Sequence, residues 1–288
     1  MRLILTMMVC MGVVLACERT SEPPILEGPA EAASEEETIE SERERGLTET
    51  QSDLLILFRQ WMETGINERT AYGAGWQQNI DYIGRLIDES ETGFEQDLFN
   101  RVMREQYGRL IYPFTSDAVI ELYETHGVEV SLVDAEAIHP RIGSIIFEAD
   151  QENTAWLKAE LDRRNNEWWT ISEFGEDVSR HMWLLTQHAD QDRDFQRHAL
   201  ELMEPLVAEG EILPRNFAYL YDRVAVGEGR PQRFGSQLGC YDGQFNAGPL
   251  EQPDKVDELR ADVGLPPLQV YIDGEFFDQS RAACEASD

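Results

Sequence analysis

Six polar side chains in three separated segments carry the chemistry that this chain can offer. Gln187, His188 and Asp190 fall at the expected end of one helix, Arg223 in another, and Gln232 and Gln237 in a glycine-containing stretch. A helix C-terminus and a neighbouring carboxylate both favour a protonated imidazole, so His188 is a candidate general acid or base. Arg223 can pair with Asp190 or clamp an anionic ligand. Gln232 and Gln237 face opposite sides of an ideal strand, and a bulge at Gly235 would bring both amides to one surface. Two readings stay open. The six residues either line a catalytic or ligand-binding pocket, or form a buried polar clasp with no activity. Polar groups in three segments are expensive to keep for packing alone.

The elements that must position them are mostly helices. Val178, Met182, Leu185 and Ala189 recur at helical spacing in a helix starting at Asp177. Asp190 and Asp192 mark a turn, with Asp192 as N-cap of the next helix, whose expected buried face is Phe195, Ala199, Leu202, Met203 and Leu206. These two helices should form a hairpin. Pro214 suits the first turn of a further helix reaching Arg223. Beyond Val226 the spacing predicts two β-hairpins. One flanks Asp242-Gly243 and the other flanks Asp273-Gly274, with a short helix over 254–263 between them. Earlier in the chain, the periodicity predicts helices from Asp53 to Gly65, over 76–88, around Phe94 to Tyr107, from Ser116 to Tyr123, and over 148–164.

Other chemistry is weaker. His188, Asp190, Asp192 and His198 could be metal ligands, but no H-E-x-x-H or C-x-x-C spacing supports them, and neither metal nor cofactor is expected. Asp190-x-Asp192-x-Asp194 with Glu201 mimics an EF-hand loop, but Phe195 stands where that loop needs glycine. No hydrolase elbow, phosphate loop or dinucleotide fingerprint is present. Trp156, Trp168, Trp169 and Trp183 read either as core or as the lining of a ligand cleft.

The N-terminus supplies an address. Met1-Arg2 precedes an apolar run from Leu3 to Ala16 and then Cys17. The run is too short to span a bilayer, which needs roughly 20 residues. It has the charged start, apolar stretch and terminal small residue of a secretory signal. Val14-Leu15-Ala16-Cys17 resembles the lipobox of bacterial lipoproteins. The resemblance implies loss of residues 1–16, lipidation of Cys17, and a folded part held outside the cytoplasm on a membrane of the cell envelope. Residues 18–50 hold eleven glutamates and few large apolar side chains, so 17–50 is expected to be a lipidated, disordered acidic tether. Four cysteines occur in all. Once Cys10 leaves with the signal and Cys17 carries lipid, Cys240 and Cys284 remain. An even pair in an oxidising compartment fits a disulfide, with two buried thiols as the alternative. The formal net charge of −32 repels phosphate and disfavours nucleic acid as a partner.

A further set of strings is unusual. Trp183-Leu-Leu-Thr-Gln187-His188-Ala189-Asp190 is followed by Asp222-Arg223-Val224 and by Gln232-Arg-Phe-Gly235-Ser-Gln237. In this order they resemble a family of bacterial proteins known only as a domain of unknown function. Its signatures are W-x-x-x-Q-H-A-D, D-R-V and Q-x-[YF]-G-[TS]-Q, and the likeness covers about residues 145–272. That family tends to carry Gly-Trp-Pro near Glu167-Trp168-Trp169, where this chain lacks the proline. The resemblance implies no reaction. The expected fold is mainly α, with a helical module over 51–144 and a helical-hairpin domain with small C-terminal β-hairpins over 145–288. The expected function is a membrane-anchored envelope binding or interaction module with a polar site around His188, its protein or small-molecule partner open. An envelope hydrolase using His188 and Asp190 is the alternative.

Overall fold

The computed structural model describes residues 46–64, 74–113, 115–274 and 277–285. The expected signal peptide (1–16), the lipidation site Cys17 and nearly all of the 17–50 tether lie outside the described residues. The fold is mainly helical with one small β-hairpin. The described residues divide into two compact units, one ending at Ala155 and the other beginning at Trp156.

The first unit holds α1 (Glu49–Thr64), α2 (Ala74–Glu89), α3 (Gly93–Leu110), α4 (Ser116–Thr125) and most of α5 (Leu132–Arg163). Thr92 and Glu95 close a reciprocal capping box at the start of α3, and Thr115 caps α4 through the Ala118 N–H. Leu55, Phe58 and Met62 of α1 pack with Tyr123 of α4 and with Ala135, Ile138, Ile142 and Ile145 of α5. The Tyr123 hydroxyl donates to the Leu54 carbonyl at 2.6 Å, which satisfies its buried polar end. One helix covers 132–163 where the periodicity predicted a start near 148. Pro140 lies inside it, and the apolar stripe that it keeps in register outweighs the local cost of the proline.

The second unit carries α6 (Ile171–Gln187), α7 (Arg193–Glu209), α8 (Pro214–Gly227), the hairpin β1 (Gly239–Tyr241) and β2 (Gln244–Asn246), then α9 (Val256–Asp262), α10 (Leu268–Ile272) and α11 (Asp278–Glu285). Helix α6 kinks at Gly175, so its straight part starts about where Asp177 stands in sequence. Val178, Met182, Leu185 and Ala189 are buried, as are Phe195, Ala199 and Met203 of α7. Leu202 and Leu206, expected on the same buried face, are only half-buried. Trp168, Trp169 and Trp183 belong to the core, and Trp156 is half-buried.

The β-structure is smaller than expected. Cys240 pairs with Phe245 in an antiparallel register around Asp242-Gly243, and Gln232 meets Leu250 only in an isolated parallel bridge. The second expected hairpin is instead α10, because Val270-Tyr271-Ile272 continues a helix that begins at Leu268. Cys240 and Cys284 form a disulfide with Cα atoms 5.5 Å apart, which ties α11 to β1. Among the described residues, no helix is long and apolar enough to cross a membrane.

Candidate functional site

Helix α6 runs out at Gln187, and His188 is its C-terminal cap residue. The chain reverses over 188–192 and is caught again by Asp192, whose carboxylate accepts the Phe195 N–H at 3.0 Å to start α7. Lys158 holds the other oxygen of Asp192 at 2.6 Å. This turn carries Asp190 towards α8, where Arg223 is waiting.

Arg223 grips Asp190 with both prongs of its fork. Its Nε donates to Oδ1 at 2.8 Å and its Nη2 to Oδ2. Arg193 Nη1 lies 3.1 Å from Oδ1, and Gln196 Nε2 donates to the same oxygen at 3.3 Å. Burial acts to raise the Asp190 pKa, but Arg223, Arg193 and His188 together hold it down at about 2. The Arg193 guanidinium lies directly over the backbone of Gly227, where any Cβ would come within 2.3 Å of its central carbon. A side chain at position 227 would have to push the Arg193 guanidinium away from its present seat beside Asp190. The Asp190 side chain keeps 37% of its surface in solvent and Arg223 only 7%. Gln187, His188 and Gln196 are buried behind them.

A layer of amides backs the ion pair. Gln237 Oε1 accepts from Arg223 Nη1 at 3.3 Å, while its Nε2 donates to the Tyr219 carbonyl at 3.5 Å and to Ser236 Oγ at 3.2 Å. Gln187 Nε2 donates to that same Tyr219 carbonyl at 3.5 Å, and its buried Oε1 receives no donor. The Gln232 amide closes the 232–237 loop on itself. Its Oε1 accepts the Gln237 N–H at 2.8 Å, and its Nε2 donates to the carbonyls of Gln237 and Ala247. The segment is therefore a compact loop rather than a strand. Gly235 takes φ +62° within it, which answers the geometric need that a strand bulge had been expected to meet. Asp190, Arg223, Gln237 and Gln232 form one connected chain of hydrogen bonds, with Gln187 sharing an acceptor and His188 adding its charge interaction at Asp190.

Three residues that position this loop were not among the six candidates, although Asp222 and Tyr271 belong to the strings that carry the family resemblance. Asp222 is fully buried and accepts the backbone N–H groups of Arg233 (2.8 Å), Phe234 (3.1 Å) and Ser236 (2.8 Å). Burial pushes its pKa up, and those N–H groups work against the rise. Arg260, also fully buried, donates to the carbonyls of Phe234 (2.6 Å), Gly235 and Pro266 (2.6 Å), and its guanidinium lies 4.7 Å from the Tyr271 ring centre. The Tyr271 hydroxyl donates to the Ser236 carbonyl at 3.1 Å. The D-R-V string was the sequence signal for Asp222, and nothing marks Arg260, two of whose three carbonyl acceptors lie about 25 residues away in the loop.

Asp190 and Arg193 are the half-exposed members of the cluster, so its chemistry is ion pairing and hydrogen bonding to a group arriving at that point. His198 stands apart, 3.0 Å from the Asn166 side-chain oxygen. Among the described residues, no group of three or more His, Cys, Asp or Glu side chains is placed to hold a metal ion.

No curated protein and no solved structure matches the chain. Residues 141–277, the stretch that contains the whole polar cluster, match a family of unknown function, DUF6624.

Proposed function

We propose that the chain is a membrane-anchored bacterial lipoprotein whose folded part acts outside the cytoplasm as a binding module, with the polar cluster around His188 as its recognition site. The address rests on the apolar run ending at Ala16-Cys17. The Cys240–Cys284 disulfide supports it, because such bonds persist in oxidising compartments. One observation carries the recognition role: a half-exposed Asp190 carboxylate anchored by a buried arginine over a base of buried amides. Such a group is fixed in place yet can still meet a partner. The burial of the His188 ring favours recognition over acid–base turnover, which needs the ring within hydrogen-bond reach of a substrate.

Two experiments test this reading. Lipid labelling in a bacterium should mark the chain and should be lost in Cys17→Ala; equal labelling of both forms rejects the anchor. A photo-crosslinking residue at the exposed position 194 of the anchored protein should give a discrete adduct in living cells, and Asp190→Asn should weaken it. Absence of any adduct, or one indifferent to Asp190→Asn, rejects the recognition role.

A further inference from the structure

Helix α5 carries a second feature, on the face turned away from its own core. Ala135, Ile138, Ile142, Ile145 and Ala149 bury one side of the helix in the first unit. On the opposite side Val133 keeps 71% of its surface in solvent and Phe147 keeps 47%. Apolar side chains scattered singly over a surface need no explanation, but these two fall on one line along the helix.

That line has heptad spacing. Val133, Ala137, Pro140, Ser144, Phe147 and Gln151 follow one another at alternating intervals of four and three residues. This is the seam of a two-stranded coiled coil, with Val133, Pro140 and Phe147 at d positions and Ala137, Ser144 and Gln151 at a positions. At 1.5 Å per residue it runs for about 27 Å. Pro140 and Gln151 are exposed like Val133 and Phe147, and Ala137 and Ser144 are half-buried. The small side chains of Ala137 and Ser144 let a second helix approach closely.

The charges that flank the seam choose its occupant. Three of them are engaged within the chain. Asp134 accepts from Gln51 at 2.9 Å and from Ser131 at 2.6 Å, Glu148 pairs with Arg59 at 2.7 Å, and Asp150 pairs with Arg109 at 2.8 Å. Glu136 and Arg141 take part in no ion pair among the described residues. They stand five residues apart, Glu136 at a g position and Arg141 at the next e position. In a parallel pair of identical helices, a g residue of one helix meets the e residue five positions on in the other. A second copy in register therefore brings Glu136 of each chain to Arg141 of its partner, twice by symmetry. An antiparallel copy would set the Glu136 flank against its own kind, which offers Gly143 and Asp150 and no cation.

We propose that this face of α5 is a homodimer surface, on which two copies of the chain pair in parallel from Val133 to Phe147 and are registered by two Glu136–Arg141 ion pairs. A seam this short, with a net charge of −32 on each chain, makes a weak pair in dilute solution. Two chains anchored by their N-termini to one membrane share the orientation that a parallel pair requires and meet at a raised effective concentration. The pairing rests on the proposed lipid anchor for that concentration and owes nothing to the His188 cluster.

The test places one cysteine at a time in the full chain, expressed in a bacterium and treated in the intact envelope with a short bis-maleimide, with the parent chain as blank. Cys240 and Cys284 are already bonded to each other and do not react. Val133→Cys and Phe147→Cys, both at exposed positions, should each give a crosslinked dimer alone, because a d residue meets its own copy in a parallel pair. Glu121→Cys, exposed on α4, should give no more than the parent. Arg141→Glu added to Val133→Cys should slow crosslinking about fivefold or more, since it turns two attractions into two repulsions. Adding Glu136→Arg as well should restore the rate. Lipid labelling is read in the same cells. Labelled chains in which Val133→Cys and Phe147→Cys crosslink no more than Glu121→Cys overturn the pairing alone, and chains with neither label nor crosslink overturn the anchor and the pairing together. The pairing is also overturned if the charge swap fails to restore the rate, or if crosslinks form only between a Val133→Cys chain and a Phe147→Cys chain, as an antiparallel pair would give.

Discussion

Asp190 is ionised because two arginines face it, and its charge couples to folding. Its folded pKa of about 2 lies below the usual aspartate value, so its ionised form contributes stability that is complete above about pH 4 and is lost as pH falls through about 2. The stability difference between wild type and Asp190→Asn, read by urea unfolding, should therefore be largest above pH 4 and close as pH approaches 2. A gap that stays constant over that window contradicts the assignment. Arg223→Ala removes the buried side of the pair and should cost about 1–3 kcal/mol, less than a fully buried pair because Asp190 is partly solvated. Asp222→Ala should cost more, about 3 kcal/mol or above, because it leaves three backbone N–H groups, two of them buried, without an acceptor. If thermal melts rank Asp222→Ala as milder than Arg223→Ala, Asp222 does not anchor the 232–237 loop.

At the scale of elements, the helix pair α6 and α7 was legible because its signals are local: a 3.6-residue apolar stripe, an aspartate N-cap and a turn rich in acidic residues. Gln187, His188, Asp190 and Arg223 stood out for the same reason, as polar residues interrupting or flanking those stripes. The C-terminal region was less legible. Asp273-Gly274 looks like a hairpin turn, but the 268–272 segment is helical and is held by remote partners. Leu268 donates its N–H to Asp257 at 2.7 Å, and Tyr271 reaches the Ser236 carbonyl. A three-residue apolar run cannot distinguish strand from helix without them. The length of α5 was hidden by Pro140 and Gly143, which act as breakers locally and are overruled by the buried Ala135, Ile138, Ile142 and Ile145. The Gln232–Gln237 loop could not be drawn from sequence because its acceptors and donors come from α8 and α9. The disulfide was expected from cysteine arithmetic once Cys10 and Cys17 are assigned to the N-terminal signal, with two buried thiols as the alternative, and the structure shows the bond. It spans 44 residues and should contribute about 4 kcal/mol in the chain-entropy model. Cys240→Ser should lower the melting temperature accordingly, and an unchanged melt would show that α11 contributes nothing to the second unit.

At the scale of the molecule, charge dominates. A chain with net charge −32 repels itself as well as other anions. Raising salt from about 0.01 M to about 1 M shortens the Debye length from about 30 Å to about 3 Å. Screening of this excess should outweigh the weakening of surface pairs such as Arg197–Glu228 and Arg230–Glu228. The melting temperature should therefore rise with salt; a fall would mean that the ion pairs matter more than the net charge.

The proposed recognition role of the His188 cluster is tested most directly by ligand-linked stability. The purified protein is melted with fractionated bacterial envelope extracts, beside Asp190→Asn as the matched control. A ligand present at a hundred times its dissociation constant stabilises by about 2.7 kcal/mol, which a melt resolves easily. The account predicts a fraction that stabilises the wild-type protein and leaves Asp190→Asn unchanged. Fractions that stabilise both proteins equally, or a full set that stabilises neither, would contradict it.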